Sequence, residues 1–286
     1  MSEKRYWLHA VTPLHVGAGR GLGYIDMPIV REKVTNWPYI PGSSLKGVIA
    51  DYNHASDENR KDNLLLKAAF GTSGSDNESA AGALVFTDAN IFCLPVRSFY
   101  GTFAWMTSPF CLRRFDMNIN LDELNNNINA FRTNESVLVR NNANIIYLED
   151  LDITSQASNQ ASDIARNAAR VIFADNNAWQ DIFIKRFVIV NDDIFTFLCE
   201  SGTEVNAHIR IDSDTGVAAE GALWYEESLP VESILTGRIW CDKVFVKDMT
   251  QSELLDTYCK DELMLQIGGK ASTGKGQVRC IFEEGN

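Results

Sequence analysis

At 286 residues with 45% hydrophobic content, the chain is long enough for one large core or two modest ones, so folding requires no disulfide or metal staple. The six cysteines (Cys93, Cys111, Cys199, Cys241, Cys259, Cys280) stand singly, which excludes a C-x-x-C zinc or redox pair; no basic stretch leads into an apolar one at the start and no run spans a bilayer, so a soluble cytoplasmic protein without membrane contact is expected. The formal net charge of −12, taken alone, argues against nucleic-acid binding, which rests on Lys and Arg meeting phosphates.

Residues 6–16 (YWLHAVTPLHV) mix aromatic and β-branched side chains and run into glycines, predicting a strand that enters a loop. From Gly17 to Pro41 the breakers Gly17, Gly19, Gly21, Gly23, Pro28, Pro38 and Pro41 exclude a continuous helix or central strand. A long ordered loop is expected there, of the kind that is usually functional. Leu45, Val48, Ile49 and Tyr52 then share one face of a helix, with Ser43 or Ser44 as its N-cap. Residues 57–79 read as polar surface loop with a helical turn or two, and GALVFTDANIFCLPV as strand material.

Residues 115–200 are the least regular third, with Asn-rich helical patches near 121–131, a strand-like NIIYLEDLDI and an amphipathic helix around 161–174, and suggest an inserted subdomain. KRFVIVND reads as a strand, and Asn191 or Asp192 caps a short helix before Gly202. Alternating HIRID and GALWYEE around Ser213-Asp214-Thr215-Gly216 predict a hairpin over about 203–230. A helix near 252–262, a glycine loop at 268–276 and the strand QVRCIF close the chain. The order β, helix, β, then again β, helix, β, suggests an α+β sandwich of ferredoxin type within a single domain, 1–286.

Gly268–Gly276 (GGKASTGKG) fails as a nucleotide-binding P-loop, because Gly276 stands where a Ser or Thr would hold Mg²⁺ and only ten residues follow. What survives is a loop whose backbone N–H groups can approach phosphates, with Lys270 and Lys275 as point charges; the plainer alternative is a tight turn with solvated lysines. Gly17 to Gly23 spell no dinucleotide fingerprint, since Leu22 and Pro28 break it. Ser43-Ser44-Leu45-Lys46 offers hydroxyls, free N–H groups and a lysine at a helix start, either an anion site or an ordinary cap.

Asp26 is the one acid between Glu3 and Glu32. Isolated loop aspartates usually form turns, but a carboxylate among cations opposes phosphate binding unless it does chemistry. His15, at the end of the first strand, could lie near it. Residues 1–50 carry six Lys/Arg against three Asp/Glu, and 97–114 and 264–280 carry three Lys/Arg each with no acid; together these segments hold +9 and the remainder −21. Such segregation fits a basic face on an acidic body, or chance.

Taken together, H-V-G-A-G from His15, D-M-P-I-V-R-E from Asp26, I-P-G-S-S-L-K-G from Ile40, G-A-L-W-Y-E-E from Gly221 and L-Q-I-G-G-K-A-S-T-G-K-G from Leu265 resemble the RAMP-superfamily backbone subunit of the Cmr, type III-B, CRISPR complex over nearly the whole chain. The resemblance implies a modified ferredoxin-like (RRM-like) palm with an inserted helical subdomain at 115–200 and a β-hairpin thumb at 203–230. It also implies crRNA, complementary target RNA, further copies stacked head to tail and other Cmr subunits as partners. In such complexes target RNA is cleaved at regular intervals, and the matching catalytic position is Asp26, the possible ligand of a divalent metal expected to be Mg²⁺. His15 and Glu227 are candidates for assistance. Arg31, Gly42, Ser43, Ser44, Lys46, Gly268, Gly269, Lys270 and Lys275 are candidates for holding the crRNA backbone. Two alternatives stay open: a non-catalytic RNA scaffold, and a nuclease that processes the crRNA itself.

Overall fold

The computed structural model describes residues 3–284 except 20, 22, 73–79, 116–127, 141–142, 245–248 and 261. The first part of the chain forms β1 (Glu3–Ala10), β2 (Tyr39–Ile40), α1 (Gly42–Tyr52), α2 (Asp57–Asp62), α3 (Leu64–Phe70), β3 (Gly71–Thr72), β4 (Ala80–Ala81), β5 (Leu84–Phe86), β6 (Ala89–Ser98), β7 (Thr102–Thr107) and α4 (Pro109–Arg114). Then follow β8 (Ala130–Arg132), β9 (Ile145–Leu148), β10 (Leu151–Ala157), α5 (Asn159–Ile172), α6 (Asn177–Arg186), β11 (Phe187–Val190) and α7 (Asp192–Ser201). The chain closes with β12 (Glu204–Ile211), β13 (Ala218–Ser228), β14 (Ile234–Cys241), α8 (Gln251–Tyr258), β15 (Glu262–Gln266) and β16 (Gln277–Glu284).

Strands β16, β1, β14 and β6 lie side by side in that order, each antiparallel to its neighbour. With α1 between β1 and β6 in the chain and α8 between β14 and β16, this is the split β-α-β arrangement of a ferredoxin-type core. Strand β1 lacks the alternation of a half-buried strand because both its faces are covered. Tyr6 and Leu8 enter one core with Leu45 and Ile49 of α1, while Trp7 enters a second with Phe92 and Ile234. Trp7 meets Phe92 edge to face at 4.9 Å, a contact that adds about 1 kcal/mol beyond its buried area.

Beyond β6 the same sheet continues through β7, β11, β8, β10 and β9. Residues 115–200 therefore carry helices, as expected of the inserted region, but their strands pair into the main sheet instead of standing apart. Helices α5 and α6 cover the second core with Ala161, Ala165, Ala168, Ile172 and Phe183. The Asn-rich stretch expected to be helical near 121–131 falls mostly outside the described residues. NIIYLEDLDI is two strands, β9 and β10, because Glu149 turns the chain at a φ of 50°.

Ser158 caps α5 and Asn191 caps α7, each accepting from the third residue on. The loop expected at 57–79 instead contains α2 and α3, and α3 contributes Leu66 and Phe70 to the first core. The helix expected to reach 262 stops at Tyr258, since 262–266 form β15 against β16.

The hairpin expected at 203–230 is β12 and β13, a separate two-stranded sheet. Its turn is built by Asp212, whose Oδ1 accepts from the N–H groups of Asp214 and Thr215 at 3.1 and 2.9 Å. One face exposes Val205, Ile209, Leu223 and Tyr225; on the other, His208 stacks on Trp224 with centroids 5.6 Å apart. No helix among the described residues is long and apolar enough to cross a membrane.

Candidate functional site

The glycine- and proline-rich stretch after β1 folds as an irregular hairpin. The Ala18 N–H donates to Pro28 O at 2.9 Å, Val30 to Val16 O at 2.9 Å, and Gly21 to Asp26 O at 3.0 Å. Its outer limb then joins the base of the β12–β13 hairpin as a short parallel bridge between Met27 and Glu226. There Met27 N–H donates to Tyr225 O and Glu227 N–H to Met27 O, both at 3.0 Å. This register brings Asp26 beside Tyr225, whose backbone N–H donates to Asp26 Oδ2 at 2.8 Å. Asp26 is exposed, and its other oxygen accepts no hydrogen bond among the described residues. The loop is anchored further on by Trp37, which packs edge to face on Phe195, and by Glu32, which takes a bidentate pair from Arg114 at 2.7 and 2.8 Å.

Successive residues of a strand point to opposite faces, and the pair Glu226-Glu227 uses both. Glu227 turns toward the Asp26 loop, where its carboxylate accepts from Ile29 N–H at 3.0 Å, Thr203 Oγ1 at 2.8 Å and Arg31 Nη2 at 2.5 Å. It is buried and accepts all three of these bonds, a geometry that ties the loop to the β12–β13 hairpin. His15 is also buried, with Nδ1 2.6 Å from Glu227 O. No hydrogen bond joins His15 or Glu227 to Asp26 among the described residues.

Glu226 turns the other way, into the C-terminal glycine loop. It is 1% exposed and lies 2.9 Å from Lys270 Nζ and 2.7 Å from Lys275 Nζ. Burial alone raises its pKa, but hydrogen bonds and charge from Lys275 and Lys270 outweigh burial and hold it at about 2. The loop is seated on His15: Gly269 N–H donates to His15 O at 2.9 Å, and Gly268 has a φ of 79° and a position where a Cβ would lie 2.3 Å from that oxygen. Only glycine fits both constraints.

Several of the residues expected to hold RNA have partners within the chain. Lys270 and Lys275, read as free point charges, share a buried carboxylate; Arg31 is held by Glu227, Cys199 O at 3.1 Å and Asn36 O at 2.8 Å. At the start of α1 the N-cap is Pro41, and neither Ser43 nor Ser44 caps by its side chain. The Gly42 N–H donates to Asp88 Oδ1 at 2.9 Å, and a Cβ at Gly42 would lie 2.4 Å from Phe86 O. Lys46 Nζ donates to Leu84 O at 2.8 Å, and burial, then nearby Arg60, lowers its pKa. The charge expected to form a basic face is substantially met by acids brought from elsewhere, as Arg97 with Glu149 and Arg279 with Glu262 also show. Tyr225, Thr203 and Glu226 were not singled out from sequence. The one available signal was two successive acids in a predicted strand, which must meet different partners.

Among the described residues no group of three or more His, Cys, Asp and Glu is placed to hold a metal. Glu226 and Glu227 are already paired, so the neighbourhood of Asp26 offers a single carboxylate oxygen. That fits Mg²⁺, which keeps several waters and commonly takes one or two carboxylates beside substrate phosphate.

The RAMP superfamily profile matches residues 7–279, and the chain belongs to that superfamily. Within it the likeness runs to Cmr4. The CRISPR system Cmr endoribonuclease Cmr4 of Pyrococcus furiosus is 32% identical over 97% of this chain and 94% of its own, and the CMR subunit Cmr4 of Saccharolobus solfataricus is 23% identical over 96% and 94%. The crystal structure of oligomeric Cmr4 from Pyrococcus furiosus aligns with a TM-score of 0.70 at 26% identity, covering 100% of this chain and 99% of the other. A chain of the type III-B Cmr-beta complex bound to cognate target RNA shares the fold, with a TM-score of 0.73 at 20% identity and 98% and 96% coverage.

Proposed function

We propose that this chain is a crRNA-binding backbone subunit of a type III-B CRISPR effector, and that it cleaves complementary target RNA at regular intervals through Asp26. The observation that carries this reading is an exposed carboxylate held at the thumb root with one oxygen left over, in a chain alike over its full length to a Cmr endoribonuclease. Copies stack head to tail along the crRNA beside other Cmr subunits, and each thumb splays the guide–target duplex. Base pairing reads sequence, so the protein need only hold the backbone.

RNA carries its own nucleophile. Once the backbone is kinked toward in-line geometry, the 2′-oxygen attacks phosphorus, its proton leaves, the P–O5′ bond breaks, and the 5′-oxygen takes up a proton. The products are a 2′,3′-cyclic phosphate and a 5′-OH. Asp26 serves this step as base or as holder of a divalent cation, expected to be Mg²⁺, which when bound supplies charge neutralisation at the phosphate. The Tyr225 N–H orients the carboxylate, and the Glu227–Arg31 pair holds the loop that presents it.

The test is reconstitution with crRNA, partner subunits and labelled complementary RNA, with and without chelator. Asp26→Asn is expected to bind crRNA as wild type does and to make no periodic cuts. Normal cutting by that variant leaves the scaffold reading, and chelator-insensitive cutting by wild type removes the metal.

A further inference from the structure

Glu226 is a buried carboxylate that the proposed chemistry does not use, yet it stands where three distant parts of the chain meet. Its backbone bridges Met27, next to Asp26, and its side chain holds Lys270 at 2.9 Å and Lys275 at 2.7 Å. Lys275 also donates to Ser228 Oγ at 3.0 Å, so the glycine loop is fastened to β13 at two successive inward positions. Lys270 adopts a left-handed backbone, φ 68°, to reach the same carboxylate. Glu204 of β12, paired across from Ser228, also lies within the field of Lys275, so the two cations face Glu226 directly and a second carboxylate at longer range. The lysine side chains differ in access, 31% for Lys270 and 13% for Lys275, so a charge released by loss of Glu226 would be presented mainly by Lys270.

We infer that Glu226 is a positioning residue: it locks the glycine loop to the thumb root in a fixed relation to Asp26, and masks one of the loop's two positive charges from RNA phosphate. This rests on the reading above that the chain holds RNA. The masking has a signature that loss of structure lacks. Removing the anion while keeping its shape frees a second lysine, which adds phosphate contacts and tightens RNA binding at low salt; a damaged loop binds RNA more weakly at every salt concentration.

The experiment uses the assembled complex with wild-type chain, Glu226→Gln and Glu226→Asp. Affinity for crRNA is measured from low to high salt, and single-turnover cutting of complementary RNA is measured at saturation. For Glu226→Gln we expect the slope of log affinity against log salt to steepen by about 0.7 per phosphate gained. Cutting at saturation should slow roughly tenfold or more through lost alignment. Glu226→Asp, which keeps the charge one methylene back, should fall between the two, and decides the matter in the same way if the Gln variant does not assemble. An unchanged slope, uniformly weaker binding, or wild-type cutting at saturation overturns the inference. Wild-type complex that neither holds crRNA nor cuts overturns instead the function on which it rests.

Discussion

Asp26 Oδ2 and the Tyr225 N–H lie 2.8 Å apart across 199 positions of sequence. The donor is main chain, so the carboxylate is held whatever the Tyr225 ring does. Asp26→Asn keeps an oxygen acceptor for this bond, and Asp26→Ala does not. The Asn variant should unfold within about 0.5 kcal/mol of wild type and the Ala variant about 1 kcal/mol below it, while neither cuts. Urea unfolding of the three chains measures this, and equal stability of the Ala variant means the bond holds nothing.

Removing Glu227 should damage the fold more than any acid on the surface. Its partner Arg31 is largely buried, with 15% of its side chain exposed, and would be left without its counterion. Breaking such a pair from one side costs about 3–5 kcal/mol. Glu227→Ala is expected to lose that much in urea unfolding, and Glu227→Gln, whose one oxygen can still accept from Ile29 while its amide donates to Thr203 Oγ1, less. A loss of cutting by Glu227→Ala with full stability would instead revive a direct part in the chemistry.

The acid limb of stability should carry the mark of Glu226. Its folded pKa, about 2, lies below its ordinary 4.5, so the unfolded chain binds the proton more readily. The contribution is therefore complete above pH 4.5 and is lost as pH falls from there toward 2, amounting to about 3 kcal/mol by linkage. Glu226→Gln should be less stable at neutral pH and flatter across that window. Parallel acid limbs for the two chains would mean that the lysines do not hold the carboxylate down.

Gly268→Ala tests how closely the glycine loop is seated. A methyl group there meets the carbonyl oxygen of His15 at 2.3 Å on a backbone that side chains avoid. The loop must lift, with a loss of about 1–3 kcal/mol and weaker crRNA binding. Gly274→Ala shares the positive φ but meets nothing within 4 Å, and should be milder in both measurements.

Local signals carried well from sequence to structure. The helix after Pro41, the hairpin around Ser213–Gly216 and the Asn191 cap all rest on neighbours within a few residues, and all are present. Signals that depend on distant partners did not carry. Counting cations by segment suggested a basic face, whereas Arg31 finds Glu227 196 residues away and Lys275 finds Glu226 49 residues back. Short strands such as β8 and β15 hold three and five residues, too few for a period to show, so the pairing of 115–200 into the main sheet was not legible. Asp26 stands out in the sequence as the one acid between Glu3 and Glu32; the amide that holds it does not, since any residue at 225 other than proline supplies one.

Apart from the bridges of Met27 with Glu226 and of Leu14 with Leu229 at its base, the β12–β13 hairpin pairs with no further strand among the described residues. Two strands alone barely hold together in water. The hairpin is thus a lever gripped at one end: amides near Tyr225 should keep their protons longest in deuterium oxide, and those near the Asp212 turn should give them up first. Rigidity at the tip then has to be lent by whatever packs against it, while the same strand stays fixed at the end that steadies Asp26.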